Sequence, residues 1–186
     1  SLLIIGLIST GRDLLIESWF ATSTLLFMMA FGLNYLVERQ ESAARRDPLT
    51  RLSNRLALNS YINLFPEPGR TQAPRTLVVI DLDGFKALND SRGHVAGDAL
   101  LRRTADHWRT VLRADDLAFR TGGDEFLLIL PQTSTDEADV VLDRLAEVSP
   151  CPWSRGVTTW LEGETFDNAF ARADHKMYED KARRRA

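Results

Sequence analysis

The stretch from Ser18 to Val37 contains no charged residue, and it constrains the fold more than any other part of the sequence. Of its 20 residues, 14 are apolar, and they surround a helix instead of forming one stripe. A helix of about 20 residues is about 30 Å long, which matches the hydrocarbon core of a bilayer. Trp19 and Tyr35 lie near its ends, as in an aromatic belt. The stretch predicts a transmembrane helix, and a buried helix of a soluble domain is the alternative.

The flanking residues extend this prediction. The chain begins inside another apolar run, so we expect a C-terminal fragment of a longer protein, with residues 1–37 forming the end of one membrane helix, a short turn and one full transmembrane helix. Three arginines follow within residues 38–46, and by the positive-inside rule they place the remainder in the cytoplasm of an inner-membrane protein. Residues 38–46 are either a helical linker that continues the membrane helix or a plain solvated linker.

Residues 47–186 have the composition of one folded domain. The whole chain of 186 residues is 44% hydrophobic and 26% charged, which argues against a disordered chain. Its net charge of −3 gives no basis for nucleic-acid binding, and we expect no nucleic-acid partner. The single cysteine, Cys151, excludes an intrachain disulfide.

Apolar runs and amphipathic periods alternate along this domain and indicate an α/β or α+β fold. We expect a loop over 66–74 and Asp83 to cap the helix that starts near Gly84. The predicted strands are 76–82, 117–120, 125–130 and 153–160, and the predicted helices are 49–65, a short one from 84, 95–112, 135–148 and 166–183.

Two turns concentrate the acidic groups. Asp81 ends a hydrophobic strand beside the Leu82 carbonyl, and the Gly122-Gly123 turn presents Asp124 and Glu125. If the strands are neighbours, Asp81 and Asp124 converge on a site that suits Mg²⁺ with substrate phosphates. We expect the glycines to adopt positive φ and to let a bulky ligand approach the backbone. On spacing alone, a solvated turn is the alternative.

Five blocks of the sequence resemble the motifs of one family in the same order. They are DPLTRLSNR over 47–55, DLDGFKALND over 81–90, GHVAGDAL over 93–100, RTGGDEF over 120–126 and RADHKMY over 172–178. On these motifs the chain resembles the GGDEF family, the diguanylate cyclases.

The resemblance implies a palm-like α+β domain with a central, mostly antiparallel sheet flanked by helices, here preceded by the transmembrane helix. It implies condensation of two GTP molecules to cyclic di-GMP and two pyrophosphates, with Mg²⁺ (or Mn²⁺) as cofactor. Each subunit would hold one GTP, so the reaction implies a homodimer. The alternative is a catalytically silent domain that acts as a receptor for cyclic di-GMP or GTP.

The family's residue roles transfer to matching positions. The metal ligands would be Asp81, Asp124 and the Leu82 carbonyl, and Glu125 would lie near the attacking hydroxyl. The resemblance assigns guanine recognition to Asn89 and Asp98, since an amide and a carboxylate can pair the guanine edge. The nucleotide would lie against Gly122 and Gly123. Phosphate contacts would come from Lys86, Lys181 and Arg185.

An inhibitory site is also implied. Arg113 and Asp116 form an R-x-x-D motif at the family's distance before Gly122, and Arg144 matches a secondary arginine. Product bound there would give feedback inhibition, while a surface ion pair is the alternative. The chain departs from the family pattern at a few positions, among them Arg155, which replaces an apolar residue, and Arg184, which replaces a glycine.

Overall fold

The computed structural model describes Trp19 and residues 22–33, 45–64 and 75–185. The chain divides at Arg45 into two units, residues 1–44 and 45–186. Several predictions lie outside the described residues: the earlier membrane helix, the turn that follows it, most of the 38–46 linker and the 66–74 loop.

In the first unit, Trp19 and residues 22–33 are helical. No helix among the described residues combines the length and the apolar character that a membrane crossing needs. The predicted transmembrane helix is therefore unsupported, and the predicted inner-membrane localisation is wrong.

The second unit alternates strands and helices closely as predicted. Its elements are β1 (Ser53–Asn54), α1 (Arg55–Leu64), β2 (Arg75–Leu82), α2 (Phe85–Arg92), α3 (His94–Val111), β3 (Leu117–Arg120), β4 (Glu125–Pro131), α4 (Thr135–Val148), β5 (Trp153–Thr159) and α5 (Phe166–Arg185).

The first helix begins later than the predicted residue 49. Asp47 Oδ1 accepts hydrogen bonds from the Thr50 N–H at 2.8 Å and from the Thr50 hydroxyl at 2.6 Å. Arg51 has a φ of 62°, which an α-helix excludes. Asn54 Oδ1 then accepts the Ala57 N–H at 3.1 Å and caps the helix that starts at Arg55.

The five described strands form one sheet in the order β1-β3-β4-β2-β5. β1 pairs parallel with β3, and the other pairs are antiparallel, so the sheet is mostly antiparallel as predicted. Alternate residues of β2 face opposite sides: Val78 and Ile80 join a core with α3 and α4, while Leu77 and Val79 join a core with α1 and α5. Covered on both faces, β2 carries its C-terminal residues to a buried position.

Candidate active site

The sheet brings Asp81 and the 121–124 turn together. β2 and β4 pair with Asp81 opposite Glu125, and the Leu82 N–H donates to the Asp124 carbonyl at 3.1 Å. Asp81 is only 7% exposed. Lys181, from α5, places its ammonium 2.6 Å from Asp81 Oδ1. Three of the residues named from the sequence thus meet at one strand end.

The charge balance at this strand end is acidic. Burial raises the pKa of the Asp124 carboxyl, and the charge of Asp81 raises that pKa further, against the opposing effects of Lys181 and Arg120. The charge of Lys181 acts on both carboxylates, but its ion pair is with Asp81. The negative charge that remains at this strand end favours the binding of a further cation.

Arg120 fixes the other flank of the turn. Its Nε and Nη2 donate to the Gly123 carbonyl at 3.2 and 2.8 Å, and its Nη1 lies 3.0 Å from Asp47 Oδ1. Burial raises the pKa of Asp47, but the hydrogen bonds from Thr50 and Arg120 outweigh it, and the net pKa lies below its ordinary value. This pair was not predicted from the sequence, although both residues stand in the motif blocks.

The two turn glycines do not adopt positive φ, so that expectation is wrong. The turn closes instead through the Thr121 and Gly122 N–H groups, which donate to the Glu125 carbonyl. Gly122 lies beneath the Glu125 side chain: a Cβ there would lie 2.5 Å from Glu125 Oε2, so that carboxylate would have to move. A Cβ on Gly123 would meet nothing within 4 Å. The Glu125 carboxylate is therefore folded over the backbone of Gly122.

Asn89 and Asp98 share the hairpin of α2 and α3. The Asn89 Oδ1 is buried without a hydrogen-bond partner, and a Cβ on Gly97 would come within 2.0 Å of it. Asp98 is half-exposed, and its carboxylate lies 3.8 Å from Arg102. The Asn89 amide thus packs against Gly97 within the hairpin and leaves its Oδ1 as an unpaired acceptor, which is costly.

Three other predictions concern the rim of this region. Lys86 is exposed in the first turn of α2, and Arg185 is exposed in the last turn of α5. Neither is brought onto Asp81 as Lys181 is. Asp83 does not cap α2 as predicted, because its Oδ1 accepts the Ser154 hydroxyl at 2.7 Å and Gly84 occupies the cap position without a side chain.

The residues predicted for the inhibitory site lie on two elements. Asp116 Oδ2 accepts the Arg113 N–H at 2.7 Å, which closes the turn after α3 and leaves the Arg113 guanidinium exposed. Arg144 is exposed on α4. The motif is thus a formed turn that presents an arginine.

The donor set at the strand end can be compared with the needs of Mg²⁺. Among residues 45–64 and 75–185, no group of three or more His, Cys, Asp or Glu side chains is placed to hold a metal. Mg²⁺ is usually bound by one or two carboxylates together with substrate phosphates, so Asp81 and Asp124 are sufficient protein ligands. The Lys181 ammonium shows that Asp81 accepts a cation here. The residues fit Mg²⁺ or Mn²⁺ bound together with a nucleotide.

Comparison with protein families matches residues 44–186 to the family described as Diguanylate cyclase, GGDEF domain. The chain belongs to the GGDEF family. Membership covers the whole second unit of the structure and includes the strand end, the α2–α3 hairpin and the R-x-x-D turn.

Two curated GGDEF relatives are named diguanylate cyclases. DgcP of Pseudomonas aeruginosa is 36% identical over 158 residues, which are 78% of this chain and 24% of DgcP. DgcM of Escherichia coli K12 is 35% identical over 160 residues, which are 78% of this chain and 38% of DgcM. The chain thus spans less than half the length of either relative.

Solved structures confirm the predicted palm-like α+β fold of the GGDEF family. The coiled coil and GGDEF domain of DgcB from Caulobacter crescentus, in complex with c-di-GMP, has a TM-score of 0.75 at 26% identity, covering 90% of this chain and 94% of that chain. Diguanylate cyclase SiaD from Pseudomonas aeruginosa, in complex with its activator SiaC, has a TM-score of 0.68 at 29% identity, covering 96% and 83%.

Proposed function

We propose that this chain is an active diguanylate cyclase, with residues 47–186 as the catalytic domain, which condenses two GTP molecules to cyclic di-GMP and two pyrophosphates. The observation that carries the proposal is the acidic strand end, where the Lys181 ammonium pairs with Asp81 while burial and the charge of Asp81 raise the Asp124 pKa. Relatives named diguanylate cyclases support the same activity.

Asp81, Asp124 and the Leu82 carbonyl would hold Mg²⁺ or Mn²⁺. When bound, the metal would neutralise phosphate charge and lower the pKa of the attacking 3′-hydroxyl. Lys181, with Lys86 and Arg185 at the rim, would contact the phosphates of GTP. Glu125 would lie near the 3′-hydroxyl, and Gly122 and Gly123 would leave room for the nucleotide.

Specificity for guanine would come from the α2–α3 hairpin. Guanine presents N–H donors at N1 and N2, which suit the unpartnered Asn89 Oδ1 and the Asp98 carboxylate. Adenine lacks that donor pair and would leave the buried acceptor unsatisfied, which costs affinity.

Because each subunit would bind one GTP, two subunits must face each other for the 3′-hydroxyl of one GTP to attack the α-phosphate of the other. Each attack expels one pyrophosphate, and two attacks close the ring. Holding both substrates in line would supply most of the catalysis, so the rate would depend on homodimer formation. Cyclic di-GMP bound at Arg113 and Asp116, with Arg144 contributed by a neighbouring subunit, would inhibit the enzyme.

The test is cyclic di-GMP formation from GTP and Mg²⁺, separated by chromatography, with Asp124→Asn as the control. We expect product from the wild type only, a specific activity that rises with protein concentration, and weaker product inhibition for Arg113→Ala. If the wild type forms no product but binds cyclic di-GMP in an Arg113-dependent manner, the receptor function replaces the cyclase.

A further inference from the structure

β5 lies at one edge of the described sheet. Its even-numbered residues direct their backbone groups toward β2, as the Trp160 N–H does when it donates to the Arg75 carbonyl. The backbone groups of Arg155, Val157 and Thr159 therefore point away from β2. Backbone groups on an open edge require hydrogen-bond partners or a cover.

Three side chains of α5 bond this edge. Arg172 Nη2 donates to the Thr159 carbonyl at 2.7 Å, and Lys176 Nζ donates to the Val157 carbonyl at 2.8 Å. The Arg155 N–H donates to Asp180 Oδ2 at 3.0 Å. We name Arg172, Lys176 and Asp180 the edge clasp.

The spacing of the edge clasp fits the strand. Four residues of helix advance about 6 Å and two residues of an antiparallel strand advance about 6.8 Å, so partners four apart on α5 match partners two apart on β5. A slip of α5 by one residue would separate all three pairs. The edge clasp therefore fixes the position of α5 along β5.

The distance between helix and strand is fixed separately. A Cβ on Gly156 would lie 1.8 Å from the Ala173 carbonyl oxygen, so α5 rests directly on the strand backbone. The edge clasp adds three polar contacts along the strand to the apolar packing of Ala169, Ala173 and Met177.

Asp180 is the member of the edge clasp nearest the strand end. The next residue, Lys181, places Nζ 2.6 Å from Asp81 Oδ1. Asp180 also accepts a hydrogen bond from Arg184 Nε at 3.1 Å, and its partner Arg155 is held by α4 through ion pairs to Asp139 and Asp143 at 3.5 and 3.1 Å. The Arg155 backbone is thus a firm anchor.

We infer that Asp180 is a positioning residue, which sets the register of α5 on the β5 edge and thereby holds the Lys181 ammonium on Asp81. The register itself is independent of catalysis. Its consequence for GTP rests on the proposed function, in which Lys181 contacts phosphate.

The first experiment needs no nucleotide. Lysine labelling by an amine-reactive reagent is followed by mass spectrometry, with exposed Lys86 as the internal reference. We expect Asp180→Ala to raise the labelling rate of Lys181 relative to Lys86 about tenfold, which corresponds to one hydrogen bond to a charged group. Asp180→Asn retains an oxygen acceptor for the Arg155 N–H and should stay near wild type.

The matched control is Glu179→Gln, which removes the adjacent acid, whose Oε1 lies 3.3 Å from the exposed His175 Nε2. Its Lys181 labelling should equal that of the wild type. If Asp180→Ala does not fold, Lys176→Met weakens the edge clasp from an exposed position and should raise Lys181 labelling about threefold. Unchanged Lys181 protection in the folded variant overturns the inference.

The second experiment is a double-mutant cycle on GTP turnover. Asp180→Ala should raise the KM for GTP about tenfold and change kcat less, since phosphate binding is what Lys181 supplies. If Asp180 acts through Lys181, the Asp180→Ala/Lys181→Ala variant matches Lys181→Ala alone. If the two substitutions instead multiply their effects on the KM in the double variant, Asp180 does not act through Lys181, and the positioning role is overturned. An unchanged KM in Lys181→Ala, with Lys181 labelling still altered by Asp180→Ala, would refute the phosphate role and leave the register inference intact.

Discussion

Acidic and basic side chains lie on both flanks of the 121–124 turn, but they stabilise one flank and destabilise the other. On one flank, Asp47 and Arg120 form a complete pair with side chains 17% and 14% exposed, and the Asp47 pKa is lowered. On the other flank, Lys181 pairs with Asp81, and burial and the charge of Asp81 raise the Asp124 pKa. A completed pair stabilises the turn, whereas an acidic excess costs stability and creates affinity for a cation.

The largest effect is expected from Asp124→Asn. Cyclic di-GMP formation should fall about a thousandfold, because the metal and phosphate charge lose a ligand at the reacting centre. The free energy of unfolding should rise, since the half-buried Asp124 carboxylate, which lies beside the like charge of Asp81, is removed. Product formation and urea unfolding at neutral pH measure both. A loss of activity accompanied by a loss of stability would contradict the comparison of the two flanks.

Arg120→Met should act in the opposite way on stability. It leaves the Asp47 carboxylate unpaired and takes two hydrogen bonds from the Gly123 carbonyl, so we expect a loss of about 3 kcal/mol in the free energy of unfolding. The matched control is Arg102→Met, whose exposed pair with Asp98 spans 3.8 Å and should contribute less than about 1 kcal/mol. Equal losses of unfolding free energy in the two variants would show that the Arg120–Asp47 pair stabilises the fold no more than an exposed pair does.

The difference between the flanks also explains what the sequence could predict. Asp81 ends an apolar strand and Asp124 follows a glycine turn, and the sequence predicted that the two carboxylates converge if their strands are neighbours. The Asp47–Arg120 pair joins residues 73 apart in the chain through a tertiary contact, which no local period reveals. The late start of α1 has a local origin instead, because Asp47 bonds Thr50 three residues later and Arg51 adopts a φ of 62°.

The hydropathy pattern was least informative for the uncharged stretch and for the polar contacts of α5. The uncharged stretch has the composition of a membrane helix, but no helix among the described residues is long and apolar enough to span a membrane. The edge clasp was also missed, since Lys176 and Asp180 look like ordinary polar residues of an exposed helix face. Their partners are backbone groups of another element, and the sequence pattern of α5 does not specify them.

Two alanine substitutions in the turn compare a glycine whose Cβ would meet the Glu125 carboxylate with one whose Cβ would meet nothing. Gly122→Ala places a Cβ 2.5 Å from Glu125 Oε2, the end of a flexible side chain, so the carboxylate should move away. We expect cyclic di-GMP formation to fall about tenfold and the free energy of unfolding to change by less than about 1 kcal/mol. Gly123→Ala meets nothing within 4 Å and should keep full stability. Equal activities of the two variants would refute a role for the Glu125 position.

The smallest effect is a difference in pH dependence between Asp47→Asn and Asp124→Asn. Because the folded pKa of Asp47 lies below its ordinary 3.8, its stabilisation is present above that value and is lost as the pH falls through the folded pKa. The folded pKa of Asp124 lies above 3.8, so the wild type gains stability as the pH falls through it. In urea unfolding over decreasing pH, the stability advantage of Asp124→Asn should therefore close first, while the deficit of Asp47→Asn should persist to below 3.8. If the deficit of Asp47→Asn closes first, the pKa values of Asp47 and Asp124 are not shifted in the opposite directions that their surroundings predict.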